Sequence, residues 1–76
     1  MFGDPVMIRQ PVSSSNIRSI GYDSESNTLE IEFHSGGVYQ YFGVPESIYN
    51  ELMHAPSHGS YFHRHIRDRY RWTKME

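Results

Sequence analysis

Seventy-six residues with no cysteine and a formal net charge of −2 leave room for one small domain and exclude both disulfide stapling and any thiolate zinc site. No stretch is apolar enough to cross a bilayer and no basic start followed by an apolar run marks a leader, so the expectation is a cytoplasmic chain. The charge is uneven: residues 1–53 hold Arg9 and Arg18 against seven acids, while 54–76 hold five Lys/Arg against Asp68 and Glu76, with four of the five histidines.

In chain order, Met1 to Ser15 carries two prolines and a serine run, so residues 1–12 read as a flexible arm, with Val6–Met7–Ile8 able to pair weakly at a sheet edge. Residues 13–76 read as the single domain. NIRSIGYD puts Ile20 and Tyr22 on one face of a strand, and DSESN supplies a turn. TLEIEFHS alternates throughout, with Leu29, Ile31 and Phe33 on one side and Thr28, Glu30, Glu32 and His34 on the other, the pattern of a half-buried antiparallel strand. Ser-Gly-Gly offers a tight hairpin and GVYQYFG returns as a third strand. Pro45 suits the first position of a helix, and Ile48, Tyr49, Leu52 and Met53 follow at helical spacing until Ala55-Pro56. Ser57 or Ser60 then caps a second helix, SYFHRHIRDRYR. The expected fold class is α+β: a three-stranded antiparallel β-meander followed by two α-helices packed on one face.

The segments SNIRSIGYD, TLEIEFHSGGVYQYFGVP and ELMHAPSHGSYFHRHI, with Tyr70 and Trp72 closing the chain, together resemble a KTSC domain. That short domain is named for its place at the C-terminus of some lysyl-tRNA synthetases and also stands alone. The likeness covers about residues 12–74, and Tyr39-Gln40-Tyr41 corresponds to the family's Tyr-x-Tyr hallmark. The resemblance implies no established activity; its synthetase context implies RNA binding. The chain departs from the family pattern at His63, where Asn is more usual, and at Arg71, where Pro is common.

Hairpin register decides what Tyr39 and Tyr41 do. A two-residue turn at Gly36-Gly37 sets His34 opposite Tyr39 and turns both tyrosines to the polar face. A loop longer or shorter by one residue, such as a G1 bulge, puts them beside Ile31 and Phe33. Burial is preferred because a small domain needs large rings to fill it; a platform for stacking bases is the alternative.

In the second helix Phe62, Ile66 and Tyr70 recur every four residues as an apolar ridge. At about 100° per residue Arg64, Arg67 and Arg71 then fall together on the opposite side. A solvated face is the plain reading of such a stripe. Against it, Arg suits bidentate phosphate contact, and Tyr61, Tyr70 and Trp72 interleave with the charges as stacking surfaces require. Glu30, Glu32, Asp23 and Glu25 would repel a polyanion from the strands, which leaves the helical side and tail as its contact.

His54 and His58 are separated by Pro56, and His63 and His65 point apart on a helix, so no metal site or other cofactor is expected. No nucleophile sits in a recognisable catalytic turn, so no enzyme activity and no catalytic residue are expected. The sequence therefore points to a small non-catalytic module that binds RNA or another nucleic acid through Arg64, Arg67, Arg71 and Lys74, with Tyr61 and Trp72 stacking. The alternative is a protein-interaction or dimerisation module, using the surface near Trp72 or an open edge of NIRSIGYD.

Overall fold

The computed structural model describes residues 7–75; Met1–Val6 of the expected arm, and Glu76, lie outside them. Seven elements follow one another: β1 (Gln10–Pro11), β2 (Ile17–Asp23), β3 (Thr28–Phe33), β4 (Val38–Phe42), α1 (Glu46–His54), α2 (His58–His65) and β5 (Arg71–Met75). All strands join one antiparallel sheet in the order β1-β2-β3-β4-β5. The expected α+β class with two helices holds, but the sheet has five strands where three were expected. Both additional strands lie at its margins.

β1 is short, and Gln10 and Pro11 pair with Ile20 and Ser19. It had no legible strand pattern because both its residues are exposed. β5 replaces the expected last turns of the second helix. The helix stops at His65, and Ile66 leaves helical geometry with φ −124° and ψ −47°. A turn follows, in which the Arg69 amide donates to the Ile66 carbonyl at 3.0 Å. Pairing with β4 from Phe42↔Arg71 to Val38↔Met75 then satisfies backbone groups that a longer helix would have satisfied internally. The spacing of Phe62, Ile66 and Tyr70 is thus helical only in part.

The β3–β4 hairpin takes the longer of the loops considered. The Gly36 amide donates to the Phe33 carbonyl and the Phe33 amide to the Gly37 carbonyl, both at 2.9 Å, while Gly36 has φ 108°. A side chain is poorly tolerated at that φ, so glycine fixes this loop. The resulting register sets Tyr39 opposite Ile31 and Tyr41 opposite Leu29. Both tyrosines therefore lie on the apolar face.

On that inner face Ile20, Leu29, Ile31 and Tyr41 join Ile17, Val44, Leu52, Phe62 and Ile66 in one core. Full burial of each aliphatic side chain contributes about 1.5–3 kcal/mol. Rings tie the helices to the strands: Phe62 meets Tyr41 at 5.3 Å and Phe33 at 5.5 Å between centroids, and Tyr49 stacks on Tyr22 at 4.7 Å. Ser57 is the α2 cap, its hydroxyl accepting from the Ser60 amide at 3.2 Å. Pro45 is the residue just before α1, one place earlier than expected.

On the outer face the acids expected to repel a polyanion are partly engaged by the fold itself. Glu30 is only 6% exposed. Its carboxylate accepts from the Arg9 guanidinium and, at 2.9 Å, from Gln40 Nε2. Arg9 also donates to Ser19 Oγ, which in turn donates to Glu32, each at 3.0 Å. Gly21 makes room for this crossing chain, since a Cβ there would lie 2.8 Å from the Ile8 carbonyl oxygen. Among the described residues no helix is long and apolar enough to cross a membrane.

Candidate functional site

The single arginine stripe is not formed. Arg64 lies on α2, Arg67 in the turn after it and Arg71 on β5, all exposed. Alternation along β5 separates its side chains by face: Trp72 and Lys74 pair with Tyr41 and Tyr39 on the inner side, whereas Arg71 pairs with Phe42 on the outer side. Tyr61 is held elsewhere. Its hydroxyl donates to Glu51 Oε1 at 2.6 Å and its ring lies 4.4 Å from that of His65.

What the fold does assemble is a cleft of about 500 Å³ between the start of β2, the β3–β4 hairpin, α2 and β5. Its apolar part is Phe33, Tyr39, Tyr41, Phe62 and Trp72. Its polar part is Asn16, Ser35, His63, Arg67 and Asp68. Four of the residues singled out in the sequence, Tyr39, Tyr41, Arg67 and Trp72, therefore meet here from three separate segments. Arg64, Lys74, Tyr61 and Arg71 lie outside its lining.

The rings differ in what they offer. Tyr41 is 5% exposed and forms part of the core, while Trp72 is 55% exposed and available to a ligand. Tyr39, half-buried, links them, its ring 5.5 Å from Trp72 and 5.7 Å from Phe33. Burial pushes the Tyr41 phenol up to about 12; nearby Tyr39 adds to the rise and the Arg67 guanidinium opposes it. Tyr41 is thus a neutral donor at any physiological pH. Tyr61 is likewise raised to about 12, by burial first and then by its bond to the Glu51 carboxylate.

Arg67 Nη1 donates to His63 Nδ1 at 3.2 Å, a bond that requires the ring nitrogen to be unprotonated. The position where this chain departs from the usual Asn thus helps to hold the cleft's cation. His54 and His58 are occupied differently, their Nδ1 atoms donating to the carbonyls of Asn50 and Leu52 at 2.8 and 2.9 Å. Among the described residues no group of three His, Asp or Glu side chains is placed to hold a metal ion.

Sequence reasoning overlooked Asn16, Ser35 and Asp68. Asn16 carried no signal of its own, since only the fold brings it to Gly59: a Cβ there would lie 2.4 Å from Asn16 Oδ1, so this approach to α2 depends on glycine. Ser35 and Asp68 sit in connecting turns, where polar residues are ordinary and carry no distinguishing pattern.

Comparison with known proteins adds four findings. The KTSC domain family matches residues 13–70, a span that stops just short of β5. A lysine–tRNA ligase from Trichormus variabilis is 43% identical over 61 residues, 80% of this chain but 11% of the ligase. The chain thus corresponds to a small part of that relative. An uncharacterised protein from Stutzerimonas stutzeri is 38% identical over 71 residues, covering 92% of this chain and all of the other. Among solved structures, a KTSC domain protein from Yersinia pestis superposes with a TM-score of 0.90 at 46% identity, over 93% of this chain and 100% of that one.

Proposed function

This chain belongs to the KTSC domain family, and on that premise we propose that it is a non-catalytic module that binds single-stranded RNA in the cleft beside Trp72. One observation carries the reading: an exposed indole, Tyr39 and the Arg67 guanidinium line the same depression. Stacking on unpaired bases together with cation contacts to phosphate is how sequence-tolerant single-strand binders gain affinity. Kinship with a segment of a lysine–tRNA ligase supports RNA over other polyanions. Arg64 and Lys74 would extend the contact from either side, and Arg71, on the outer side of β5, would contribute only to the general field. Pairing of Glu30 with Arg9 removes much of the repulsion expected from the strands. A cytoplasmic setting belongs to this reading, supported by the cysteine-free composition.

A second reading, a protein-interaction or dimerisation module, draws on β5. All five of its residues are exposed at the sheet margin, where an added strand could pair. Fluorescence anisotropy with a labelled single-stranded oligonucleotide separates the two. Contacts from Arg67, Arg64 and Lys74 predict a slope of log affinity against log salt near −2, at about −0.7 per phosphate neutralised. Arg67→Glu should abolish binding without altering the melt. A salt-independent dimer that binds no oligonucleotide would select the second reading.

A further inference from the structure

The cleft contains one carboxylate, and the fold does not use it. Asp68 follows Arg67 in the chain, yet the guanidinium turns to His63. Among the described residues the ion pairs within 4.0 Å all involve Arg9 or Arg18 with Glu30 or Glu32, so Asp68 has none. Its side chain is exposed and lines the same depression as Phe33, Tyr39 and Trp72. An unpaired carboxylate there repels phosphate, and it repels any base edge made of carbonyls and bare ring nitrogens. A nucleotide in the cleft gains from Asp68 only where it presents N–H donors to it.

The four bases differ sharply in that respect. Uracil offers one N–H between two carbonyls. Cytosine and adenine each offer an amino group beside an unprotonated ring nitrogen. Guanine alone presents two adjacent parallel donors, N1–H and N2–H, matched to the two oxygens of a carboxylate. Resting on the nucleic-acid reading above, we propose that Asp68 makes the cleft selective for an unpaired guanine. The base stacks against Trp72 and Tyr39 and donates N1–H and N2–H to Asp68. Arg67, held by His63, is left to face the phosphate. The division of labour is consistent: the rings bind any base, the cations bind any backbone, and the carboxylate chooses.

The test compares hexauridylate with the same strand carrying one guanine, one inosine or one adenine near its centre, by anisotropy at fixed salt. A good bidentate contact gives roughly ten- to a hundredfold discrimination. The guanine strand should bind tightest by that margin. Inosine, which keeps N1–H and lacks the amino group, should fall between guanine and uracil, and adenine should show no advantage beyond stacking. Asp68→Asn should shrink the guanine advantage to about twofold or less, since its amide opposes a donor to one of guanine's two, while strengthening hexauridylate binding, from which a repulsive charge is removed, and leaving the melting temperature unchanged. Equal binding of all strands, or a guanine preference that survives Asp68→Asn, overturns the role of Asp68 and leaves the cleft as a sequence-neutral site. No binding of any strand overturns the nucleic-acid reading and this inference together.

Discussion

The two faces of the sheet are built from the same strands and held by different physics. On the inner face β3 presents Leu29 and Ile31 to the helices, and these two residues are fully buried without a polar side-chain atom between them. On the outer face the next residue, Glu30, is nearly as buried, yet its carboxylate is bonded to Arg9 and Gln40, and Arg9 is held in turn by Ser19. The inner face gains from removing apolar surface from water, a non-directional effect that tolerates small shifts. The outer face offsets the cost of burying a charge only while each hydrogen bond is kept. It follows that the inner face sets stability, whereas the outer face fixes where Arg9 and the residues beside it cross the strands.

The largest effect should come from the inner face. Phe62 touches both Phe33 and Tyr41 and is 6% exposed, so Phe62→Ala should cost about 3–5 kcal/mol in a denaturant melt. For a domain of this size that is a large share of total stability. A midpoint close to that of the unaltered protein would show that α2 is not part of the core.

An intermediate effect is expected outside. Arg9→Met strands the buried Glu30 carboxylate with Gln40 as its side-chain partner and should cost about 2 kcal/mol. Adding Glu30→Gln removes the uncompensated charge, so the double variant should be more stable than the single one. A double variant with additive losses would mean that the outer network contributes as separate contacts.

The smallest effect concerns the tyrosine between core and cleft. Tyr41 is raised from an ordinary value near 10 to about 12, chiefly by burial. Its contribution to stability is complete below pH 10, where the phenol is neutral in both folded and unfolded chains. Above that the unfolded chain ionises first, and the contribution is lost as pH rises towards 12. Tyr41→Phe should flatten part of this alkaline decline in chemical melts, with Tyr61 supplying another part. An unchanged decline would contradict the burial of the Tyr41 hydroxyl.

Legibility in the sequence followed the same division. β3 was readable because its apolar residues alternate over Leu29, Ile31 and Phe33, the side that meets the core, and both helices were readable from their apolar spacing. β5 was not, since an exposed strand has no buried face to impose alternation on RWTKM, and Phe62, Ile66 and Tyr70 mimic a continuing helix. Glu30 lies on the side read for it, but its burial was not legible because its partner, Arg9, lies 21 residues away in a segment without periodicity. The burial of Tyr39 and Tyr41 turned on one backbone angle at Gly36, a choice that two adjacent glycines leave open. At the candidate site Tyr39, Tyr41, Arg67 and Trp72 were legible as chemistry. Their meeting place was not, because it depends on β5 returning beside β4.

That return has a kinetic consequence. β2, β3 and β4 are joined through short turns, whereas α1 and α2 lie in the chain between β4 and β5. Its pairing carries the greatest loop-closure entropy in the sheet. Once formed, it is backed by exposed side chains on both faces, so among the strands longer than the two-residue β1 it opens at least cost. Amide exchange along Arg71–Met75 should be faster than along β3, and each such opening carries Trp72 away from Tyr39 while the core stays intact. Occupancy of the cleft would then be recorded as protection of a strand that makes little other contribution to holding the fold together.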